Sequence, residues 1–113
     1  MRWFLHAKIH KATVTQADVN YIGSITIDRD LCDRIGLLEG EKVLVTSNTG
    51  GGPLETYVIY GQANSGIICM NGAAAHVIKQ GEEIIIMAFE LAEKTIEQKI
   101  ILVDKENKFI RFL

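Results

Sequence analysis

The alternation of apolar and polar positions predicts a protein built almost entirely of β-strands. Eight runs rich in β-branched and aromatic residues are separated by Gly, Asn or Asp turns. The predicted strands cover residues 4–15, 22–27, 41–47, 54–60, 66–70, 82–90, 99–103 and 108–112. Residues 105–107 are typical of a hairpin tip between the last two strands. Many short strands in one chain favour a closed barrel, because closure removes exposed sheet edges.

One segment carries the signals of a helix. Asp28 is a suitable N-cap for residues 29–35, and Gly36 is a typical C-terminal stop. A second short helix is predicted at 72–78, with Asn71 as its cap and its first N–H groups available to an anion. At 113 residues the chain suits a single domain, 1–113, with one hydrophobic core. The prediction is therefore a mainly β fold with one or two short helices.

Composition and charge exclude several classes of function. The formal net charge is -2, and the basic residues form no stripe, so a nucleic-acid-binding role is not predicted. The longest apolar runs, 84–89 and 100–103, are far shorter than a membrane span, and the first six residues are too short for a signal peptide. We therefore expect a cytoplasmic protein. Because 48% of the residues are apolar, a high share for a small monomer, we also expect self-association.

The cysteines and histidines do not indicate a metal site. Cys32 and Cys69 lack the CxxC spacing of zinc ligands and are interpreted as buried thiols of a reduced protein. His6, Lys8 and His10 alternate along the first predicted strand, so they are expected to share one of its faces. No third ligand with suitable spacing accompanies the two histidines, so a solvated or active-site face is favoured over a metal centre.

Two other motifs point to chemistries that the sequence does not support. The run Gly50-Gly51-Gly52 is interpreted as a flexible loop, because Pro53 begins a strand where a phosphate-binding loop would continue with Lys-Ser or Lys-Thr and a helix. Ser24 together with His10 suggests a serine hydrolase. However, residues 23–25 lack the strand-to-helix turn of a nucleophile elbow.

Four ordered motifs carry a family resemblance: the early Lys8-x-His10, the block Tyr21–Asp28 with its central Gly-Ser pair, Thr56-Tyr57, and the run Asn71–Ala75 with the sequence Asn-Gly-Ala-Ala-Ala. Over nearly its whole length, the chain resembles the pyruvoyl-dependent aspartate alpha-decarboxylases. The resemblance implies a double-psi β-barrel that assembles as a homotetramer with active sites between subunits. It also implies decarboxylation of L-aspartate to β-alanine and carbon dioxide for pantothenate biosynthesis.

The resemblance further implies that the chain cleaves itself. The Ser24 hydroxyl would attack the Gly23 carbonyl to form an ester, and elimination followed by hydrolysis would leave a pyruvoyl group at position 24. The products would be residues 1–23 and 24–113, with no metal and no pyridoxal phosphate required. Thr56 would donate a hydrogen bond to the oxyanion of this step. A glycine at position 23 suits the reaction, because a residue without Cβ adopts strained backbone conformations easily.

Roles in turnover are implied in the same way. The pyruvoyl carbonyl would condense with the substrate amine as a Schiff base and draw electrons as carbon dioxide leaves. Tyr57 would return a proton to the substrate, and Lys8 would pair with a substrate carboxylate. His10 and Tyr21 would support the cleavage loop or have purely structural roles. Other groups that would position the substrate are Thr56, Asn71, Gly72, Ala73 and Ala74.

One position departs from the family pattern. The family usually carries an Arg three residues before the Thr of Thr-Tyr, as in Arg-Phe-x-Thr-Tyr, and this Arg grips a substrate carboxylate. Here Pro53, the only proline of the chain, occupies that position and has no hydrogen to donate. Two alternatives therefore stay open: a decarboxylase for a different amino acid, and a barrel that does not process and serves as a binding or structural paralogue. Intact Ser24, Thr56 and Tyr57 argue against the paralogue.

Overall fold

A nine-stranded mixed sheet forms most of the molecule in the computed structural model, which describes residues 1–113. The strands are β1 (Arg2–Thr13), β2 (Gln16–Asp18), β3 (Ser24–Asp28), β4 (Lys42–Ser47), β5 (Leu54–Gly61), β6 (Ile68–Asn71), β7 (Glu83–Ala92), β8 (Lys99–Val103) and β9 (Phe109–Phe112). The helices are α1 (Arg29–Ile35) and α2 (Ala74–Val77). All eight predicted strands are confirmed to within about two residues at each end. The three-residue β2 is an addition.

The strand order explains how the sheet curls. It reads β2-β6-β3-β5-β4-β7-β1-β8-β9, with β1/β8, β2/β6 and β3/β5 parallel and the other pairs antiparallel. β2 starts only three residues after the end of β1, yet the two strands lie near opposite ends of this order. The chain therefore draws the two ends of the sheet together into a barrel. The prediction of a mainly β, double-psi β-barrel with two short helices is confirmed.

Alternation along β3 and β6 separates the core from a polar cluster. Ile25 and Ile27 of β3 are fully buried opposite Met70 and Ile68 of β6. The residues between them point to the other side of the same two strands. A shift of one residue in this register would exchange the two faces, so burial of the apolar set also fixes where the polar set lies.

Helix α1 has the ends that the sequence predicts. The Asp28 carboxylate accepts a hydrogen bond from Asp30 N at 2.9 Å, and Gly36 ends the helix in the left-handed conformation at φ 70°. Asp28 is almost fully buried and also accepts from Asn64 N and Gly66 N. It therefore ties the turn before β6 to the start of α1.

Helix α2 is shorter than predicted, and its predicted cap is wrong. It covers only Ala74–Val77, and no side chain caps its first turn. Asn71 is instead the last residue of β6, where its side chain is occupied by other contacts. Neither helix has the length and apolar composition needed to cross a membrane.

The triple-glycine segment is tied down rather than flexible. Ser47 Oγ accepts from Gly50 N at 3.0 Å, and Glu82 Oε1 accepts from Gly51 N at 3.1 Å. A Cβ at Gly51 would lie 1.9 Å from the Val77 carbonyl oxygen, so only glycine allows this approach to the end of α2.

Candidate active site

Ser24 begins β3 in a conformation that is unusual for a serine. Its φ is 113°, outside the regions that residues with a Cβ favour, and the residue is only 2% exposed. Ser24 is paired with Asn71 of β6, and Asn71 Nδ2 donates to Ser24 Oγ at 2.9 Å. The hydroxyl is thus held in place at a point of backbone strain, an arrangement that is found most often at functional sites.

The strain lies at Ser24 and not at Gly23, where the sequence predicts it. Gly23 is not among the residues with positive φ, and a Cβ built on it would meet nothing within 4 Å. The close approach in this region belongs to Gly72, at φ 63°, where a Cβ would lie 2.8 Å from both Tyr21 O and Gly23 N. Gly72 N also donates to Asp18 O at 2.8 Å. The backbone of Gly72 therefore packs against the Tyr21–Gly23 segment. The side chain of Tyr21 is exposed.

Four polar side chains form a cluster on one face of β3 and β6. Ser24 faces Asn71 and Thr26 faces Cys69 across the two strands. Asn71 Nδ2 donates to both Ser24 Oγ and Thr26 Oγ1, each at 2.9 Å, and Cys69 Sγ donates to Asn71 Oδ1 at 3.1 Å. The sequence predicts Cys69 only as a buried thiol. Its spacing of two from Asn71 on a strand is the signal that places both side chains on one face.

The cluster opens into a cleft of about 420 Å³. Thr56 is half-buried in its wall, and the Tyr57 side chain is 42% exposed. Parallel pairing of Ile25 with Val58 brings the start of β3 beside this part of β5. Ten residues line the cleft: Gly23, Ser24, Leu54, Glu55, Thr56, Tyr57, Asn71, Ala73, Ala74 and Val77. The cleft thus unites most of the residues that the resemblance singled out.

No cation is among the lining residues, and one of them is acidic. Glu55 Oε2 lies 2.5 Å from Nζ of Lys42, which is not a lining residue, so the acidic side chain of the cleft is already paired with a lysine. Pro53 is exposed immediately before Leu54 and contributes no charge. Within one chain, the cleft therefore has no free group of positive charge for a second substrate carboxylate.

Lys8 and Ser24 lie on strands that are four steps apart in the sheet of one chain. It pairs with Met87 of β7, which pairs with Leu44 of β4, and Leu44 pairs with Glu55 of β5. Paired residues share a face of a sheet, so Lys8 and Glu55 lie on the same face, three strand spacings or about 14 Å apart. Ser24, on the next strand, is about 19 Å away along the sheet.

His10 shares this outward face of β1 with Lys8, while Ala7 and Ile9 are buried on the other. Burial, and then the charges of Lys8 and Lys11, lower the pKa of His10, and Glu83 only partly opposes them. The imidazole is therefore neutral at pH 7. Its Nδ1 is buried and has no hydrogen-bond partner within the chain.

His6 contacts Glu41, outside the Ser24 cleft. Its Nε2 lies 2.5 Å from Glu41 Oε2, at the edge of a second cleft of about 490 Å³. This second cleft is lined by Trp3, Glu41, Lys42, Val43, Leu44, Glu55 and Phe89 and meets the Ser24 cleft at Glu55. No three His, Cys, Asp or Glu side chains in the chain are grouped so that they could hold a metal ion.

Both cysteines are buried free thiols, as predicted. Burial, with a smaller contribution from Asp33, raises the pKa of Cys32 to about 12. Burial, followed by the charge of Asp18, raises the pKa of Cys69. Both thiols therefore stay protonated at neutral pH, and only Cys69 belongs to the polar cluster.

Known proteins resemble the chain over almost its full length. The sequence profile of the aspartate decarboxylase family matches residues 1–110. The aspartate 1-decarboxylase of Clostridium botulinum is 54% identical over 107 residues, which cover 91% of this chain and 86% of that protein. The enzyme of the same name from Exiguobacterium sibiricum is 50% identical, over 100% of this chain and 92% of that protein. The aspartate 1-decarboxylase of Bacillus thuringiensis is 47% identical, over 99% of this chain and 91% of that protein. The chain therefore belongs to the aspartate decarboxylase family.

Proposed function

We propose that the chain is a self-processing pyruvoyl enzyme that converts L-aspartate to β-alanine and carbon dioxide. The observation that carries this proposal is Ser24, a buried and strained serine whose hydroxyl is held by Asn71 at the edge of a cleft. Three relatives of 47–54% identity bear the name aspartate 1-decarboxylase.

Self-cleavage begins when Ser24 Oγ attacks the Gly23 carbonyl carbon and the peptide C–N bond breaks, which leaves an ester and a free Ser24 amine. A base then removes the Ser24 Cα proton, and the Cβ–Oγ bond breaks to release the Gly23 carboxylate. Water hydrolyses the resulting dehydroalanine with loss of ammonia, and a pyruvoyl group remains. Breaking the peptide bond releases the strain at Ser24, which favours the first step. Thr56, in the cleft wall, donates to the developing oxyanion.

The residues around position 24 fit a pyruvoyl group. Side chains with hydroxyl and amide donors surround it, and small residues, Ala73 and Ala74, leave space for a substrate. The group supplies the carbonyl that condenses with the substrate amine and accepts electrons as carbon dioxide leaves. Tyr57 presents its phenol in the cleft and gives the proton that replaces the carboxylate at the substrate Cα. Asn71, Thr56 and the backbone from Gly72 onward orient the substrate.

The active enzyme is a homotetramer whose sites lie between chains. The lining of the cleft in one chain includes no cation, and Lys8 lies four strands away from Ser24 in the sheet, and both observations support this assembly. The sheet face around Lys8 is also unusually apolar, with half-buried or exposed side chains on neighbouring strands: Leu44, Ile85, Met87, Phe89, Ile100 and Leu102. Packing this face on a second copy buries the apolar side chains and brings a partner's Lys8 to the cleft.

A mixing experiment tests the shared site. Lys8→Ala and Tyr57→Phe chains each lose most turnover alone, but co-refolded assemblies contain sites with one intact Lys8 and one intact Tyr57. Random mixing makes about a quarter of the sites intact, so activity should return to about that fraction. If chain exchange is confirmed and the mixture is as inactive as its components, the site is not shared in this way. Lys8 and Tyr57 would then act in the site of one chain, or Lys8 would not belong to the site.

Pro53 favours one alternative substrate class. The family Arg is absent and Glu55 adds negative charge, so the cleft has no cation to bind a side-chain carboxylate. An amino acid with a single carboxylate does not need that cation. Purified enzyme should be given aspartate and, separately, monocarboxylic amino acids, and carbon dioxide and amine products should be measured against a Ser24→Ala control. Borohydride reduction during turnover should attach only a true substrate to fragment 24–113. Product from aspartate supports the first proposal, and product from monocarboxylic substrates alone supports the alternative.

The buried thiols, Cys32 and Cys69, fit a reducing compartment, and we therefore assign the enzyme to the cytoplasm.

A further inference from the structure

We propose that Cys69 is a positioning residue for self-cleavage, because it fixes the orientation of the Asn71 amide so that its NH2 group faces Ser24 Oγ. The inference rests on the proposed self-cleavage at Ser24. It concerns a residue that does not line the cleft and whose thiol lies 3.1 Å from Asn71 Oδ1, much closer than its other acceptor, Met70 O, at 3.9 Å.

Three contacts determine the amide orientation. An Asn side chain has an acceptor end and a donor end of nearly equal size, so its surroundings decide which end faces which neighbour. Cys69 Sγ donates to Oδ1 at 3.1 Å, while the two hydrogens of Nδ2 point to Ser24 Oγ and Thr26 Oγ1 at 2.9 Å each. A hydroxyl can accept or donate, so the orientation depends on how all the hydrogens of the amide are placed. In the observed orientation both Nδ2 hydrogens meet a hydroxyl and Oδ1 receives the S–H group, whereas the reversed amide would direct its two hydrogens at Sγ, which is a weak acceptor. A donor at position 69, whether S–H or O–H, therefore completes the set of contacts.

The thiol keeps this donor role at neutral pH. Burial raises the pKa of Cys69, and the charge of Asp18 raises it further, so the S–H group stays protonated. Cys69 is also nearly buried, which keeps water from replacing it as the donor to Asn71.

The orientation matters most in the second step of cleavage. When the Cβ–Oγ bond breaks, the electron pair goes to Oγ, which becomes an oxygen of the Gly23 carboxylate. A hydrogen-bond donor that already faces Oγ stabilises this developing charge without reorganisation. In the preceding attack Oγ gives up a proton and gains no negative charge, so the same donor contributes less there.

Matched variants separate a donor role from a packing role. Cys69→Ser keeps an O–H donor, and Cys69→Ala removes it with almost the same change in side-chain volume. Cys32→Ala, in the core and away from the cluster, controls for loss of a buried thiol. Intact mass over time gives the cleavage rate, and thermal unfolding checks that each variant folds. Cys69→Ala should cleave about tenfold more slowly or worse, and Cys69→Ser and Cys32→Ala should stay close to wild type.

Hydroxylamine identifies the step that slows. It cuts an accumulated ester to give a 24–113 fragment with a free N-terminal serine, which differs in mass from the pyruvoyl fragment and is open to Edman sequencing. Cys69→Ala should accumulate this ester. The inference is overturned if Cys69→Ala and Cys69→Ser cleave at equal rates, or if the alanine variant accumulates no additional ester. In either case the proposed function stands as long as the wild type cleaves. A wild type that never cleaves overturns both.

Discussion

Gly72 packs against the backbone of Gly23, and the contact is too close for a side chain at position 72. A Cβ at Gly72 would come 2.8 Å from Gly23 N and 2.9 Å from Gly23 Cα, with φ already at 63°. The residue that follows Asn71 therefore helps to set the position of the peptide bond that is to be cleaved.

Gly72→Ala should slow or abolish cleavage, because the new methyl group displaces the Tyr21–Gly23 segment and adds about 1–2 kcal/mol of left-handed strain. Gly81→Ala is the matched control, since Gly81 has φ 90° and open space at its Cβ position. Cleavage rates of the two variants should be compared with their unfolding temperatures. If both lose the same stability and cleave equally fast, the Gly72–Gly23 contact has no special role.

Tyr57→Phe should cleave itself normally and then turn over on the order of a hundredfold more slowly, because the phenol that returns the proton is missing. The hydroxyl is not needed for the attack of Ser24 on Gly23. Intact mass and steady-state kcat measure the two effects separately. Full activity in this variant would mean that water or another residue is the proton donor.

Pro53→Arg should lower the KM for aspartate by about ten- to a hundredfold, since a charge-assisted carboxylate pair contributes roughly 1.5–3 kcal/mol. The exposed position beside Leu54 leaves the new side chain free to reach the cleft. Pro53→Ala controls for the loss of proline alone. An unchanged or higher KM, in a parent that already uses aspartate efficiently, would show that this position does not limit aspartate binding.

Glu82 should make the segment 50–52 sensitive to acid. Hydrogen bonds from Ser47 Oγ and from the N–H groups of Lys79 and Gly51 lower its pKa below the usual 4.5. A carboxyl with a lowered pKa stabilises the fold fully above its unfolded value, and this stabilisation is lost as the pH falls through the folded value. The unfolding temperature of wild type should thus exceed that of Glu82→Gln above about pH 4.5, and the gap should close on further acidification. A gap that stays constant with pH would mean that the charge contributes nothing.

Local signals predicted most of the secondary structure. The N-cap at Asp28 and the stop at Gly36 bracket α1 because capping depends on nearby residues only. The β2 strand was missed, since it is three residues long and exists through parallel pairing with distant β6. The sequence predicts Asn71 as a helix cap for a similar reason, because local sequence does not reveal that Ser24 lies opposite it.

The sequence predicts which residues form the candidate site better than it predicts how they are arranged. Motif residues on β3, β5 and β6 do meet in one cleft. The positive φ of Ser24, the contact of Cys69 with Asn71 and the distance of Lys8 all follow from strand order and register, which alternation along single strands does not specify.

The most direct test of self-cleavage is the mass of the purified protein after prolonged warming. Wild type should appear as two fragments, residues 1–23 and 24–113, with the larger one blocked to Edman sequencing because a pyruvoyl group has no free amine. Ser24→Ala should remain one chain under the same conditions. A wild-type protein that stays full length would contradict self-cleavage and favour a barrel of this family with a binding or structural role.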